Sequence, residues 1–196
     1  MGRGTIDRVV FDAVVLAGGG ARRLGGIDKP ALVVGGRSLL DIALLGCAGA
    51  RRTVVVGPVR PTGREVTWTR EDPAGAGPAA ALGAGLAHVD AAMLVLLAAD
   101  LPFVDTATVE LLLAEVVDDG ALLVDDDGRD QLLCSAWRTE AVRAALVGVP
   151  LDGARLGAVL APLTATRVSV PPTPGRQAPW SDCDTPLDLS RLRGTG

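Results

Sequence analysis

The chain carries eighteen arginines but a single lysine, Lys29, inside the segment LAGGGARRLGGIDKP that runs from Leu16 to Pro30. Where arginine serves at every other basic position, a lone lysine marks a place that needs a compact ammonium and will not take a planar fork. Gly18, Gly19 and Gly20 let the backbone turn sharply and approach a ligand with its N–H groups directed at it. Arg23 can grip phosphate oxygens in fork geometry, and Lys29 offers a point charge where negative charge develops on a phosphoryl group. The segment reads as a holder for a nucleoside triphosphate. It matches neither common phosphate loop. A Walker A loop needs Gly-Lys-Ser/Thr, whereas Lys29 stands between Asp28 and Pro30. In the dinucleotide fingerprint Gly18 and Gly20 fit, but the third glycine position falls on Arg23.

Such a loop has to be mounted on rigid elements, and the flanking sequence supplies them. Asp12 to Ala17 (DAVVLA) is a short continuous apolar run, the mark of a parallel strand covered on both faces. Ser38 and Asp41 form a capping pattern ahead of a helix that Gly49 can close. TVVVG (Thr53–Gly57) and VTWT (Val66–Thr69) read as strands, and Gly77-Pro78 opens an alanine-rich helix to about His88. AMLVLLAAD (Ala92–Asp100) reads as a buried strand ending in a carboxylate, and Asp105 caps the helix that follows. Ala121–Val124 and Gln131–Trp137 flank an acidic turn and predict a hairpin with one antiparallel strand. Helices are expected over about Glu140–Val147 and Ala154–Leu160, then a strand over Thr166–Val170, a proline-rich loop over Pro171–Pro179 and a helix start at Thr185-Pro186. Alternation of this kind predicts one domain over residues 1–196: a Rossmann-like three-layer α/β sandwich with a mostly parallel, doubly wound sheet. Ligands bind such sheets outside the carboxyl ends of the strands, where both the glycine loop and Asp100 fall.

Composition narrows the partners. Formal net charge is −4, so nothing points to a broad basic surface for nucleic acid or anionic lipid. Cys47, Cys134 and Cys183 are far apart and lack CxxC spacing, against both a disulfide framework and a structural zinc site. The N-terminal residues have no apolar leader pattern, and the run around Met93–Ala99 is too short to span a bilayer. A cytoplasmic protein is expected, with no membrane and no nucleic acid among its partners.

LAGGGARRLGGIDKP resembles the LAGG-x-S-x-R-M-G-x-x-K signature of the MobA-like nucleotidyltransferases, and its doubled glycine before Asp28-Lys29 is most similar to the molybdenum cofactor guanylyltransferases. Three later blocks follow in the family's order. EDPAGAGPAAALGAGL is similar to its D-x5-G-P-L-A-G-x3-G-L, AADLPFV to its C-D-x-P-F/Y, and SDCDTPLDL to its N/D-x-D/N-T-P-x-D-L. Departures are Ala21 for serine, Leu24 for methionine and Ala79-Ala80 for Leu-Ala.

The resemblance implies that Leu16, Ala17, Gly18 and Gly19 lie against the nucleotide and that Arg23 and Lys29 meet its phosphates. It also places Asp72 at the guanine or its surroundings, aligns Gly57 with a position that is often asparagine, and gives Asp100 a Mg²⁺ ion. Mg²⁺ takes oxygen ligands and keeps several waters, so Asp100 with the triphosphate suffices, and Asp184 or Asp182 could add a second carboxylate. The implied reaction moves GMP from GTP to the terminal phosphate of molybdopterin or its molybdenum-bearing form, with pyrophosphate released. A monomer is expected, handing its product to other cofactor-assembly proteins. The cytidylyltransferase branch usually reads LAAG, so Gly19 favours guanine, since the missing methyl leaves room for the larger base. A guanylyltransferase for another phosphorylated acceptor and a nucleotide-binding regulatory module are the alternatives. Arg60, Arg64 and Arg70 stand where an anionic pterin phosphate could dock, though most read as solvated surface charges. Asp125–Asp127 with Asp130 lack the spacing of a calcium loop and read as a polar turn. His88 reads as a surface residue, and Trp68, Trp137 and Trp180 stay open between core and pterin stacking.

Overall fold

A computed structural model describes residues 9–18, 28–171 and 177–181. Its centre is a seven-stranded sheet whose strands are β1 (Phe11–Leu16), β4 (Thr53–Val56), β5 (Thr67–Thr69), β6 (Met93–Ala98), β7 (Gly120–Val124), β8 (Asp130–Arg138) and β9 (Ala165–Ser169), in spatial order β5-β4-β1-β6-β8-β7-β9. All pairings are parallel except those of β8, which runs antiparallel to both β6 and β7. The fold is therefore the expected single-domain α/β arrangement with its one antiparallel strand. A small separate hairpin, β2 (Val33–Val34) with β3 (Arg37–Ser38), precedes the first helix; the sequence reading did not anticipate it.

β1 shows why the central strands form. Phe11, Ala13 and Val15 enter one apolar cluster and Val14 and Leu16 the other, so both faces of the pleat are covered. On the first face pack α1 (Leu39–Gly46) and α3 (Thr106–Ala114); on the second, α2 (Pro78–Leu86), α4 (Thr139–Leu146) and α5 (Leu156–Leu160). Among the described residues no helix is long and apolar enough to cross a membrane.

The helix starts follow local chemistry. Ser38 Oγ accepts the Asp41 amide hydrogen at 3.0 Å, and Asp105 Oδ1 accepts that of Thr108 at 2.9 Å. Gly77 precedes α2 with φ +97°, and Pro78 occupies its first turn. α1 ends at Gly46 with Cys47 as its cap, short of Gly49, α2 stops before His88, and β6 stops at Ala98, so Asp100 sits in the turn beyond the strand. The Asp125 carboxylate accepts the amide hydrogens of Asp127 and Arg129, as a polar turn requires. Trp137 is fully buried, with Nε1 donating to Ser135 Oγ at 2.7 Å; it belongs to the core and is closed to substrate stacking.

Candidate functional site

β1 and β6 are parallel neighbours with Leu16 opposite Ala98, so the segments that leave them emerge side by side at one edge of the sheet. From the first comes Lys29, in the 3-10 turn Lys29–Ala31; from the second comes Asp100. Lys29 Nζ lies 4.0 Å from Asp100 Oδ2, with the two side chains 21% and 29% exposed. The ammonium and the carboxylate that the sequence singled out thus meet at one place, beside solvent.

The backbone beneath them is closely stitched. Ala17 N donates to Val56 O at 2.8 Å, Ala99 N to Leu16 O at 3.0 Å and Gly57 N to Thr69 O at 2.9 Å, extending the ladder past the formal strand ends. Leu16 and Ala17 are buried, and the Leu16 side chain belongs to the core, so only its backbone faces the edge. Gly18 is exposed. Gly57 has φ +147°, and a Cβ there would stand 2.7 Å from the carbonyl carbon and oxygen of Ala17 and 2.9 Å from Gly18 N. Glycine is required at this position because the strand-end backbones touch.

The acidic pair after β5 divides unexpectedly. Asp72 is exposed, whereas Glu71 is buried and accepts the Gly75 amide hydrogen through Oε1 at 2.9 Å. Glu71 Oε1 is also 3.8 Å from where a Cβ on Gly18 would lie, and Oε2 is buried with no hydrogen-bond partner among the described residues. Nothing in the sequence pattern distinguished Glu71 from its neighbour; burial did.

Arg60 departs from both roles left open for it, phosphate docking and a solvated surface charge. Its side chain is 12% exposed. Nε donates to both Asp28 oxygens, at 3.1 and 2.8 Å, Nη2 to Asp28 Oδ1 at 2.6 Å, and Nη1 to the carbonyls of Ala17 at 3.0 Å and Pro58 at 2.9 Å. The hydrogen bonds from Arg60 hold the Asp28 carboxyl below its ordinary value of 3.8 against the opposing effect of burial. Arg64 donates to Leu44 O, Arg70 is exposed, and the His88 carbonyl accepts from Arg52. Gly19, Arg23, Asp182 and Asp184, with the Thr185 helix start, lie outside the described residues.

A carboxylate of this kind can hold a hard cation, and an ammonium beside it can attract phosphate oxygens. Comparison with known proteins places the chain by sequence and by fold. The family model for the MobA-like NTP transferase domain matches residues 13–166. A molybdenum cofactor guanylyltransferase of Shewanella halifaxensis is 29% identical over 124 residues, which are 60% of this chain and 62% of that protein, so the chain spans less than two thirds of that relative. A probable molybdenum cofactor guanylyltransferase of Mycobacterium bovis is 32% identical over 143 residues, 68% of this chain and 71% of that one. Among solved structures, molybdopterin-guanine dinucleotide biosynthesis protein A from Archaeoglobus fulgidus superposes with a TM-score of 0.67 at 22% identity, covering 93% of this chain and 97% of its own, a likeness of fold. With the match running from β1 to β9, and the glycine loop, Lys29 and Asp100 all inside it, the chain belongs to the MobA-like NTP transferase domain family.

Proposed function

We propose that the protein transfers GMP from GTP to the terminal phosphate of molybdopterin, releasing pyrophosphate and leaving a guanine dinucleotide cofactor. The observation that carries this reading is the meeting of Lys29 and Asp100 at the adjoining ends of β1 and β6. The relatives' names supply donor and acceptor. A terminal phosphate oxygen of the acceptor attacks the α-phosphorus of GTP. The new P–O bond forms as the bond to the β-phosphate oxygen breaks, and pyrophosphate leaves with that electron pair. The attacking oxygen is already ionised at neutral pH, so the step calls for no general base. Catalysis is then positioning plus neutralisation of charge.

Lys29 places a cation beside the phosphoryl oxygens, and Arg23 grips the triphosphate. The backbones of Leu16, Ala17, Gly18, Gly19 and Gly57 form the floor on which the nucleotide lies, with Asp72 toward the base. Among the described residues no three His, Cys, Asp or Glu side chains cluster as a cation site. One part-exposed carboxylate at a strand-end turn still fits Mg²⁺, which takes its other ligands from triphosphate and water. Asp100 would hold that ion, with Asp184 as a second carboxylate, and the ion would supply neutralisation of the developing charge.

The deciding experiment is pyrophosphate release with GTP, CTP or ATP in Mg²⁺, with and without molybdopterin. Release from GTP alone, dependent on the acceptor, is expected. Release from CTP alone would move the protein to the cytidylyl branch, and nucleotide binding without release would overturn catalysis altogether.

A further inference from the structure

We infer that Arg60 is a positioning residue: its guanidinium clamps the step from Asp28 to Lys29 against the end of β1 and thereby holds the Lys29 ammonium at Asp100. The kinetic consequence rests on the nucleotidyl-transfer reading above; the geometric claim stands without it.

Arg60 is four residues past β4, Asp28 immediately precedes Lys29, and Ala17 immediately precedes Gly18. One guanidinium therefore ties together the loop after β4, the segment bearing the lysine, and the backbone that enters the glycine loop. All three of its nitrogens donate to oxygen: two to the Asp28 carboxylate and the third to two carbonyls. A fork engaged in this way is not offered to an anionic ligand, so the docking role that its position suggested gives way to an internal one. The pair is also unlike the usual surface salt bridge, in which two long side chains are held by little else.

The clamp closes a ring. The loop that carries Arg60 is itself fastened to α1, because Gly63 N donates to Asp41 Oδ1 at 2.8 Å and Arg64 Nη1 to Leu44 O at 2.9 Å. On the other side of Lys29, Leu32 packs on Leu39, the first residue of α1, and the Leu39 amide donates to Leu32 O at 2.9 Å. Lys29 is thus suspended between two anchors that share one helix. Arg60 supplies the first and the small cluster around Leu39 the second. Asp28 pairs with Arg60 from the loop after β4, and Lys29 lies against Asp100 from the turn after β6, so this one step of chain is held from the two strands that flank β1. Removing the guanidinium releases the Asp28 carboxylate and the Ala17 carbonyl from their common partner, and the Lys29 ammonium should then shift relative to Asp100 while the sheet stays intact.

Because Lys29 is the sole lysine, protein grown on 13Cε-lysine gives one lysine signal, a reporter that needs no turnover. At fixed pH the Arg60→Met variant should move or broaden that resonance while circular dichroism and the unfolding midpoint stay close to those of the parent. In the transfer assay Arg60→Met should lower kcat about tenfold or more in the parent, yet less than about twofold in a Lys29→Ala background, the non-additivity of residues acting through one another. Arg60→Lys keeps the charge but not the fork and should recover little of the loss. An unmoved resonance, additive kinetic losses, or full recovery by Arg60→Lys would each overturn the clamp. Should the parent release no pyrophosphate, the functional reading fails, and the lysine resonance still decides the geometry.

Discussion

At the amino edge of the sheet Asp12 is wholly buried and accepts four hydrogen bonds, from Arg51 Nε at 3.0 Å, Arg51 Nη2 at 2.8 Å and the amides of Asp90 at 2.8 Å and Ala91 at 3.0 Å. At the carboxyl edge Asp100 is part exposed and its lysine stands 4.0 Å away. Both are aspartates paired with a cation at the end of a central strand. The first is closed: every approach to the carboxylate is taken by the protein, and its effect is to fasten β1 to the start of β4 and the entry to β6. The second lies beside solvent, its carboxylate part exposed and within reach of phosphate oxygens or a hydrated cation. Complete burial makes a charge structural, and exposure to solvent keeps it within reach of a ligand.

The sharpest way to break the comparison is to neutralise each aspartate in turn. Asp100→Asn should cut turnover by about a thousandfold or more, because the carboxylate proposed to hold the metal is gone, while the unfolding midpoint hardly moves. Asp12→Asn should do the reverse. It loses the charge that Arg51 and two amides converge on and should cost about 3 kcal/mol in denaturant unfolding, with kcat preserved at saturating substrate. If Asp100→Asn also unfolds the protein, or Asp12→Asn also abolishes turnover, the division of labour between the edges is wrong.

A finer test keeps charge and alters shape. Lys29→Arg retains a cation opposite Asp100 but replaces a compact ammonium with a planar fork at a site already flanked by the Arg60 guanidinium. Turnover should fall about a hundredfold with stability unchanged. The matching change at the amino edge, Arg51→Lys, should affect only stability, since one of the two hydrogen bonds to Asp12 is lost. Near-normal turnover by Lys29→Arg would remove the reason given for the chain's only lysine.

What could be read from the sequence was what is local. The runs that became β1 and β6, the caps Ser38 and Asp105, and the hairpin around Asp125 each declare themselves within a few residues, by apolar continuity or by a side chain reaching its own helix. Lys29 declared itself by scarcity. The β2–β3 hairpin did not, because its strands have two residues each, and Gly35-Gly36 carries little signal in a chain with 25 glycines, although φ of +56° and +81° shows that the turn needs them. Arg60 and Asp12 were opaque for a different reason. Their partners lie 32 and 39 residues away, and among so many arginines no pattern marks which one is folded inward.

The smallest effect concerns acid. Burial alone would raise the Asp12 carboxyl pKa; the Arg51 hydrogen bond, with those from the Asp90 and Ala91 amides, outweighs it and brings the value from 3.8 down to about 2. A pKa depressed on folding gives stability that is complete above the unfolded value and disappears as pH falls through the folded one. Asp12 should therefore contribute about 2 kcal/mol above pH 4 that is lost between roughly pH 4 and pH 2. Denaturant midpoints measured at intervals from pH 5 to pH 2.5 should fall more steeply for the parent than for Asp12→Asn, and the two curves should converge at the acid end. Parallel curves would mean that the amino-edge pair is weaker than its hydrogen bonds imply, and the contrast between a buried edge and a solvent-facing one would then rest on the catalytic side alone.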